Sequence, residues 1–164
     1  MKIALVALPL AAVLTTFSSL AYAQRTVFLV RDADRLDASE DTPLSKAGEA
    51  RAQLMARLLK DTGVTPVYTN QFQRTIKTAE THGISLQIKF VNIPTGDNAV
   101  HFKRIRTENR DDIVLIVGHD RSIPALLKLF GHPEAITIAP TEYDNLFVLV
   151  PKDTGPPTVL RMRY

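Results

Sequence analysis

The chain has 164 residues, no cysteine, and 20 lysines and arginines against 17 aspartates and glutamates. This length suits one domain with its own core rather than two. The absence of cysteine excludes disulfides, thiol catalysis and cysteine-ligated zinc, and the near balance of charge gives no reason to expect a nucleic acid as partner.

The first 23 residues have the order of a secretory signal peptide. Lys2 is followed by an apolar run over residues 3–14, and then by small and polar residues that end in Ala21-Tyr22-Ala23. A membrane anchor would need about 20 apolar residues, and serines and threonines interrupt this run too early. We therefore predict cleavage before Gln24, a periplasmic or secreted domain over residues 24–164, and no stable membrane anchor after cleavage.

Apolar runs of strand length alternate with helical patterns along the rest of the chain. Residues 113–117, five aliphatic side chains in a row, suit a central strand that is buried on both faces. The pattern predicts a single three-layer α/β domain, with a mostly parallel central sheet, helices on both faces and an antiparallel pair of strands at the C-terminal edge. The predicted strands cover residues 27–30, 67–69, 86–93, 113–117, 146–150 and 158–162.

Four helices are predicted between these strands. The first begins after Ser45 as N-cap and ends at Gly63, the second follows Asn70 to Gly83, the third covers 98–107, and the fourth has Pro124 in its first turn and Gly131 after its end. The basic residues of the third helix fit an exposed helix face better than a nucleic-acid patch. The first helix is predicted to bury Ala47, Ala50, Leu54, Met55, Leu58 and Leu59.

Charged and polar side chains follow three of the predicted strands. Arg31 and Asp32 follow the first strand, Arg74 lies just beyond the second, and His119 follows the central one. The carboxyl ends of parallel strands meet at one edge of a sheet, so we expect these residues to converge. One such arginine is more often a surface ion-pair partner, but two arginines and a histidine near helix N-termini favour a phosphate pocket.

The stretches LVRDADR, LSKAGEARA, VYTNQFQRTIKTAE and IVLIVGHD resemble, in order and spacing, the signatures of the histidine phosphatase (phosphoglycerate-mutase-like) superfamily. In that family an Arg-His pair ends the first strand, Leu-Thr-x-x-Gly opens the first helix, Arg-Thr-x-x-Thr-Ala opens the second, and Gly-His ends the central strand. The segments EYDNLFVL and LRMRY look like those of its small exported bacterial branch. The resemblance implies that Arg31, Arg74 and His119 bind a small phosphorylated or anionic ligand, without a metal or cofactor.

Asp32 stands where this family has its nucleophilic histidine. In the family's chemistry that histidine becomes phosphohistidine and is released by water, while the second histidine and the arginines stabilise the transferring group. A carboxylate is shorter than an imidazole and repels a phosphate by about 1 to 4 kcal/mol per unit charge at about 4 Å. We therefore expect Asp32 to pair with Arg31, Arg74 or His119, and the protein to be impaired or inactive as a phosphomonoesterase.

Two other functions are compatible with these residues. The first is an active phosphatase that acts on a small phosphoester through Asp32 or another group. The second is a magnesium-dependent phosphatase that forms an aspartyl phosphate on the Asp32-Ala33-Asp34 motif, with Thr69 and the Asp111-Asp112 pair as further motif residues. The Asp111-Asp112 pair precedes its strand, which places it at the wrong end of the sheet for this second function.

The remaining site residues are assigned by position alone. Asn70 and Asp120 are further pocket candidates, and Arg35 is expected to turn outward. No general acid is assigned, since the candidate carboxylates Asp34, Asp97 and Glu142 have no predicted placement. Because the motifs recognise only a phosphoryl group, substrate specificity is expected to lie in the irregular segments 34–43 and 94–101.

Overall fold

The computed structural model describes residues 26–83, 90–152 and 154–164. The predicted signal peptide and the first part of the predicted third strand, residues 86–89, lie outside the described residues. The described chain forms one α/β domain, as predicted, around a six-stranded sheet with the order β3-β2-β4-β1-β5-β6. The strands are β1 (Thr26–Arg31), β2 (Val64–Thr69), β3 (Phe90–Asn92), β4 (Ile113–Gly118), β5 (Asn145–Val150) and β6 (Thr158–Arg163), and the helices are α1 (Lys46–Leu59), α2 (Gln73–Gly83), α3 (Asn98–Glu108) and α4 (Ser122–Leu129).

The four strands β3, β2, β4 and β1 run parallel, and β5 and β6 complete the sheet as an antiparallel edge pair. The most aliphatic strand, β4, lies between β1 and β2, as its composition predicts. In the pairing of β1 with β4, Thr26 lies opposite Ile113 and Arg31 opposite Gly118. The two strands therefore end at the same level, and the residues that follow them lie side by side.

Successive side chains of each strand point to opposite faces of the sheet, which gives the domain two cores. On one face Leu29 and Ile116 pack with residues of α3 and α4 such as Ile105 and Ile123. On the other face the core includes Val30, Val67, Leu115 and Val117 of the sheet and Met55, Leu59 and Ala79 of α1 and α2. Helices cover both faces, so the prediction of three layers is confirmed.

The predicted buried face of α1 is wrong in several positions. Ala47, Ala50 and Leu58 are exposed and Leu54 is only half-buried, whereas the buried stripe consists of Gly48, Ala52, Met55 and Leu59. The small residues are buried because α1 lies directly on the backbone that follows β1, where a Cβ at Gly48 would be 2.2 Å from the carbonyl oxygen of Asp34. A periodicity of large apolar residues misses such a contact.

The helix ends differ from the prediction in two places. Ser45 caps α1 as predicted, with its hydroxyl accepting from the Gly48 N–H at 3.1 Å. The helix ends at Leu59, however, and Gly63, which has a φ of 75°, lies in the turn before β2. Asn70 lies three residues before α2, and its Oδ1 accepts from the N–H of Phe72 at 3.0 Å. Within the described ranges, no helix is both long and apolar enough to cross a membrane.

Candidate functional site

A pocket of about 120 Å³ lies at the carboxyl ends of β1 and β4. The structure brings Arg31, Asp32, Arg74 and His119 together there, although they come from three different strand ends. Four further residues complete the wall: Asp120, a second-rank candidate; Arg35, which is exposed as expected but lines the pocket; and Pro140 and Tyr143, which the sequence does not suggest. The pocket is lined by Arg31, Asp32, Arg35, Arg74, His119, Asp120, Pro140 and Tyr143.

Asp32 is the centre of the polar contacts in this pocket. Its Oδ2 accepts from Arg74 Nε at 2.6 Å and lies 3.1 Å from His119 Nδ1, with the Thr75 hydroxyl at 3.5 Å. Its Oδ1 lies 3.8 Å from Nε of Arg31. The residue is only 2% exposed. Such burial is tolerated because cationic and neutral donors surround the carboxylate.

The ring of His119 is engaged at both nitrogens. Asn70 Nδ2 lies 2.8 Å from Nε2, and the orientation of this amide is set by the Phe72 N–H, which donates to the amide oxygen. Nε2 is therefore the acceptor, and the network assigns the ring proton to Nδ1, which donates to Asp32. Asn70 does not line the pocket, but it positions a residue that does.

Arg31 is occupied mainly by the protein's own backbone. Its Nη1 donates to the carbonyl oxygens of Ala139, Pro140 and Glu142 at 3.0, 2.9 and 3.2 Å. The guanidinium carbon lies 4.0 Å from the centre of the Tyr143 ring, a cation–π contact. Arg31 therefore holds in place the segment that forms the far wall of the pocket, a role that its position in the sequence does not indicate.

Arg74 is the more open of the two predicted arginines. It lies at the start of α2, pairs with Asp32 through Nε, and donates through Nη1 to the carbonyl oxygen of Glu40 at 2.7 Å. Its guanidinium also lies over the Phe72 ring at 4.6 Å. Its remaining terminal nitrogen, Nη2, is the donor best placed for a ligand, because the other two are already bound to protein oxygens.

The backbone around the pocket is fixed by contacts that do not depend on the Asp32 side chain. The Asp32 N–H donates to the carbonyl oxygen of Gly118 at 2.7 Å, and the next N–H, of Ala33, donates to the Thr78 hydroxyl at 3.0 Å. The His119 N–H donates to the Ser122 hydroxyl at 2.7 Å. A Cβ at Gly118 would be 2.6 Å from that hydroxyl oxygen, which explains the glycine before His119.

A wider groove adjoins the pocket on the side of α3 and shares Arg74, His119 and Asp120 with it. Its other residues come from the turn before α2, from residues 95–98 and from the start of α4: Phe72, Thr95, Gly96, Asn98, Arg121 and Ser122. The groove includes part of the irregular segment 94–101. Sequence reasoning did not single out Phe72, Arg121 or Tyr143, because nothing local marks these residues as neighbours of the strand ends.

The three candidate general acids do not line the pocket. Asp34 binds Arg51 at 2.6 Å, and Asp97 precedes α3 on the exposed side. Glu142 binds the N–H of Ala139, and its hydrogen bond with Arg163 lowers its pKa below the usual value. A general acid needs a raised rather than a lowered pKa, so Glu142 is poorly suited to this role.

The residues of the magnesium hypothesis are divided between the two ends of the sheet. Asp32 follows β1, whereas Asp112 precedes β4, which is parallel to β1 and six residues long. At about 3.3 Å per residue the two carboxylates lie roughly 20 Å apart. In the part of the chain that the structure describes, no group of three or more histidine, cysteine, aspartate or glutamate residues could hold a metal ion.

Comparisons with known proteins agree with this geometry. The model of the histidine phosphatase superfamily (branch 1) matches residues 28–94, which include Arg31, Asp32 and Arg74 and end before His119. None of the curated proteins is similar enough in sequence to count as a match. The matched residues carry the sequence pattern of the histidine phosphatase superfamily.

Solved structures of several phosphatases are similar in fold. The protein histidine phosphatase SixA, in a complex with tungstate, has a TM-score of 0.69 and 24% identity, with 84% of this chain and 96% of that chain covered. The alpha-ribazole phosphatase from Shigella flexneri has a TM-score of 0.68 and 15% identity, over 85% and 96%. The mycobacterial glucosyl-3-phosphoglycerate phosphatase has a TM-score of 0.64 and 13% identity, over 85% and 98%. The described domain therefore has the fold of these phosphatases.

Proposed function

We propose that this chain, with the sequence pattern and fold of the histidine phosphatase superfamily, is an exported oxyanion-binding protein with little or no phosphomonoesterase activity. The observation that carries the proposal is the position of Asp32. Its carboxylate is bound by Arg74 Nε at 2.6 Å and by His119 Nδ1 at 3.1 Å. These are two of the groups that the family resemblance assigns to the phosphoryl group, so the protein's own carboxylate already occupies part of the anion site.

The chemistry of the carboxylate also opposes phosphoryl transfer. Two unit charges about 4 Å apart interact by roughly 1 to 4 kcal/mol for effective dielectric constants between 80 and 20, and a phosphate dianion doubles that repulsion. Attack by Oδ2 would in addition require its hydrogen bonds with Arg74 and His119 to be lost. Asp32 is thus a competitor of the phosphate rather than a good nucleophile for it.

Ligand binding remains supported by the donors that Asp32 does not use. Arg74, whose Nη2 is not used by Asp32 or Glu40, and the exposed Arg35 both line a pocket of about 120 Å³. This volume is far above the roughly 10–15 Å³ that one water needs. The SixA structure of similar fold holds tungstate, a tetrahedral oxyanion, which supports an oxyanion as the ligand of this pocket.

The decisive experiment measures both binding and turnover. Binding of tungstate and inorganic phosphate is measured by calorimetry, and hydrolysis of an aryl phosphate is followed across pH, with and without magnesium. We expect the natural protein to bind the oxyanions without turnover, and Asp32→His to hydrolyse the aryl phosphate without metal. Asp34→His is the matched control, because it places a histidine two residues away on a side chain that does not line the pocket.

An active phosphatase that uses Asp32 is the second candidate, and one contact favours it. Among the described residues Asp32 Oδ1 has an ion-pair contact with Arg31 Nε at 3.8 Å and no hydrogen bond, so attack by this oxygen would not require a hydrogen bond to be broken. In that reaction the oxygen would bond to phosphorus as the bond from phosphorus to the ester oxygen breaks, and the leaving alkoxide would take its proton from solvent water. A second water would then hydrolyse the acyl phosphate to free Asp32 and inorganic phosphate. If the unsubstituted protein hydrolyses the aryl phosphate and Asp32→Ala abolishes this hydrolysis, the active-phosphatase candidate is established and the proposal of a binding protein is disproved.

Export is a separate part of the proposal and has its own test. It rests on the signal-peptide order of residues 1–23, with a single lysine, an apolar run and a small-residue cleavage site. Expression of the full chain in a bacterium should give a periplasmic or secreted product whose intact mass corresponds to a start at Gln24. A cytoplasmic product of full mass would contradict export and leave the pocket unaffected.

A further inference from the structure

We infer that the pocket selects singly charged tetrahedral oxyanions, such as a sulfate monoester or a phosphodiester, over the dianion of a phosphate monoester. The inference rests on the proposed function, because it concerns the ligand class of the same pocket. It comes from the balance of charge at the pocket wall, which differs from that of an open cluster of arginines.

Three cations and two anions line the pocket. Arg31, Arg35 and Arg74 contribute three positive charges, and Asp32 and Asp120 contribute two negative charges, which leaves one positive charge in excess. The imidazole ring of His119 adds none, because its Nε2 accepts from Asn70 while its Nδ1 donates to Asp32. One excess positive charge is neutralised by one negative charge on the ligand.

The contacts of the arginines strengthen this argument. Arg31 has committed Nη1 to three backbone carbonyl oxygens, and Arg74 has committed Nε to Asp32 and Nη1 to a backbone carbonyl oxygen. Arg31 and Arg74 therefore offer a ligand fewer N–H groups than two uncommitted guanidinium groups would, which weakens the bidentate binding that favours a dianion.

Two carboxylates, those of Asp32 and Asp120, line the pocket and lie next to the space that the ligand would occupy. Within the described chain Asp32 Oδ1 has an ion-pair contact with Arg31 Nε at 3.8 Å and no hydrogen bond, and the side chain of Asp120 is 29% exposed, with Oδ2 4.0 Å from Arg31 Nη2. A second negative charge on the ligand would lie close to these oxygens. At about 4 Å, and with effective dielectric constants between 80 and 20, each such repulsion lowers affinity by about fivefold or more.

The test compares three small ligands of similar shape and different charge. Phenyl phosphate is a dianion at pH 8, since its second pKa lies near 6, whereas phenyl sulfate and methyl phenyl phosphate carry one charge each. Their small size keeps the comparison within the pocket and away from the adjoining groove. By calorimetry, we expect at least one of the singly charged ligands to bind the natural protein about fivefold or more tighter than phenyl phosphate.

Variants at the two carboxylates make the test specific. Asp32→Asn keeps the shape of the side chain and should raise the affinity for phenyl phosphate relative to phenyl sulfate by about fivefold or more. Asp120→Asn, at a partly exposed position, should act in the same direction, and it keeps the test valid if the first variant does not fold. Asp34→Asn is the control, because that carboxylate pairs with Arg51 outside the pocket and should leave the ratio unchanged.

The outcomes separate this inference from the function on which it rests. Tight binding of phenyl sulfate alone supports a sulfate monoester, and tight binding of methyl phenyl phosphate supports a phosphodiester. If phenyl phosphate binds the natural protein as tightly as both, and Asp32→Asn leaves the ratios unchanged, the inference is wrong while oxyanion binding stands. If none of the three binds, both the inference and the proposed function are wrong.

Discussion

Replacement of Arg31 by methionine should destabilise the protein strongly, because this arginine links the end of β1 to a segment more than 100 residues away. Its Nη1 donates to three carbonyl oxygens of residues 139–142, and its guanidinium packs on Tyr143. The side chain is 8% exposed, so water cannot easily replace it. Methionine fills a similar volume and removes only the donors and the charge.

The size of the effect follows from these contacts. Three acceptors share the two N–H groups of Nη1, so we count two hydrogen bonds from a charged donor, each contributing about 1.5 to 3 kcal/mol. The cation–π contact adds about 0.5 to 2 kcal/mol. Relief of the desolvation of a buried cation offsets part of this sum, and we expect a net loss of about 3 to 4 kcal/mol.

Urea denaturation of the purified variants measures this loss as a change in midpoint at unchanged slope. Arg31→Lys should lose nearly as much, because an ammonium cannot reach the three carbonyl oxygens with the geometry of the guanidinium fork. Arg35→Met, at an exposed residue of the same pocket, is the control and should change the free energy of unfolding by less than about 0.5 kcal/mol. A loss below about 1 kcal/mol for Arg31→Met would refute the assignment of Arg31 to the support of residues 139–142.

Three further predictions concern other contacts. Nitrogen-15 chemical shifts of His119 should report one tautomer with the proton on Nδ1, because Asn70 donates to Nε2 and Asp32 accepts from Nδ1. The double variant Asp32→Ala/Asn70→Ala should give a mixture of tautomers, whereas Asn92→Ala, which removes a hydrogen bond to the Asn70 backbone, should not; an unchanged tautomer in the double variant would contradict the assignment. Gly48→Ala should lower the urea midpoint, because the added Cβ would be 2.2 Å from the backbone oxygen of Asp34. Alanine is the better helix former by about 1 kcal/mol, so a rise in the midpoint would show that α1 can move away from this oxygen and would contradict the prediction. Burial lowers the pKa of His101 below 6.5, so as pH decreases the unfolded chain binds a proton at His101 before the folded protein does. The free energy of unfolding should therefore fall as pH decreases below 6.5. His101→Gln should remove this part of the pH dependence, and an unchanged dependence of stability on pH in that variant would disprove the prediction.

The sheet could be predicted because its signals are local. An aliphatic run such as β4 is recognisable without knowledge of its neighbours, and the parallel arrangement of the strands then brings the residues after β1, β2 and β4 to one edge. The C-terminal pair β5 and β6 follows from two alternating runs with a turn between them. These predictions need only hydrophobic periodicity and the geometry of strands.

The parts that could not be predicted depend on contacts between distant segments. The buried face of α1 is set by the approach of Gly48 to the loop after β1, and a pattern of large apolar residues cannot indicate that approach. Arg31 supports residues 139–143, whereas Arg74 is more open to a ligand, and this difference depends on where residues 139–143 lie. That segment has no sequence motif that links it to β1. The roles of the pocket residues in binding or catalysis stay predictions until the variants are measured.

The backbone contacts of the pocket bear on how easily its chemistry could change during evolution. The Asp32 and Ala33 N–H groups are held by Gly118 and Thr78, so the frame around position 32 does not need the carboxylate. Aspartate and histidine codons differ only in their first base. Under the proposed function, one base change in the codon for Asp32 separates a binding protein from a phosphatase. A single replication error would therefore be enough to produce the enzyme.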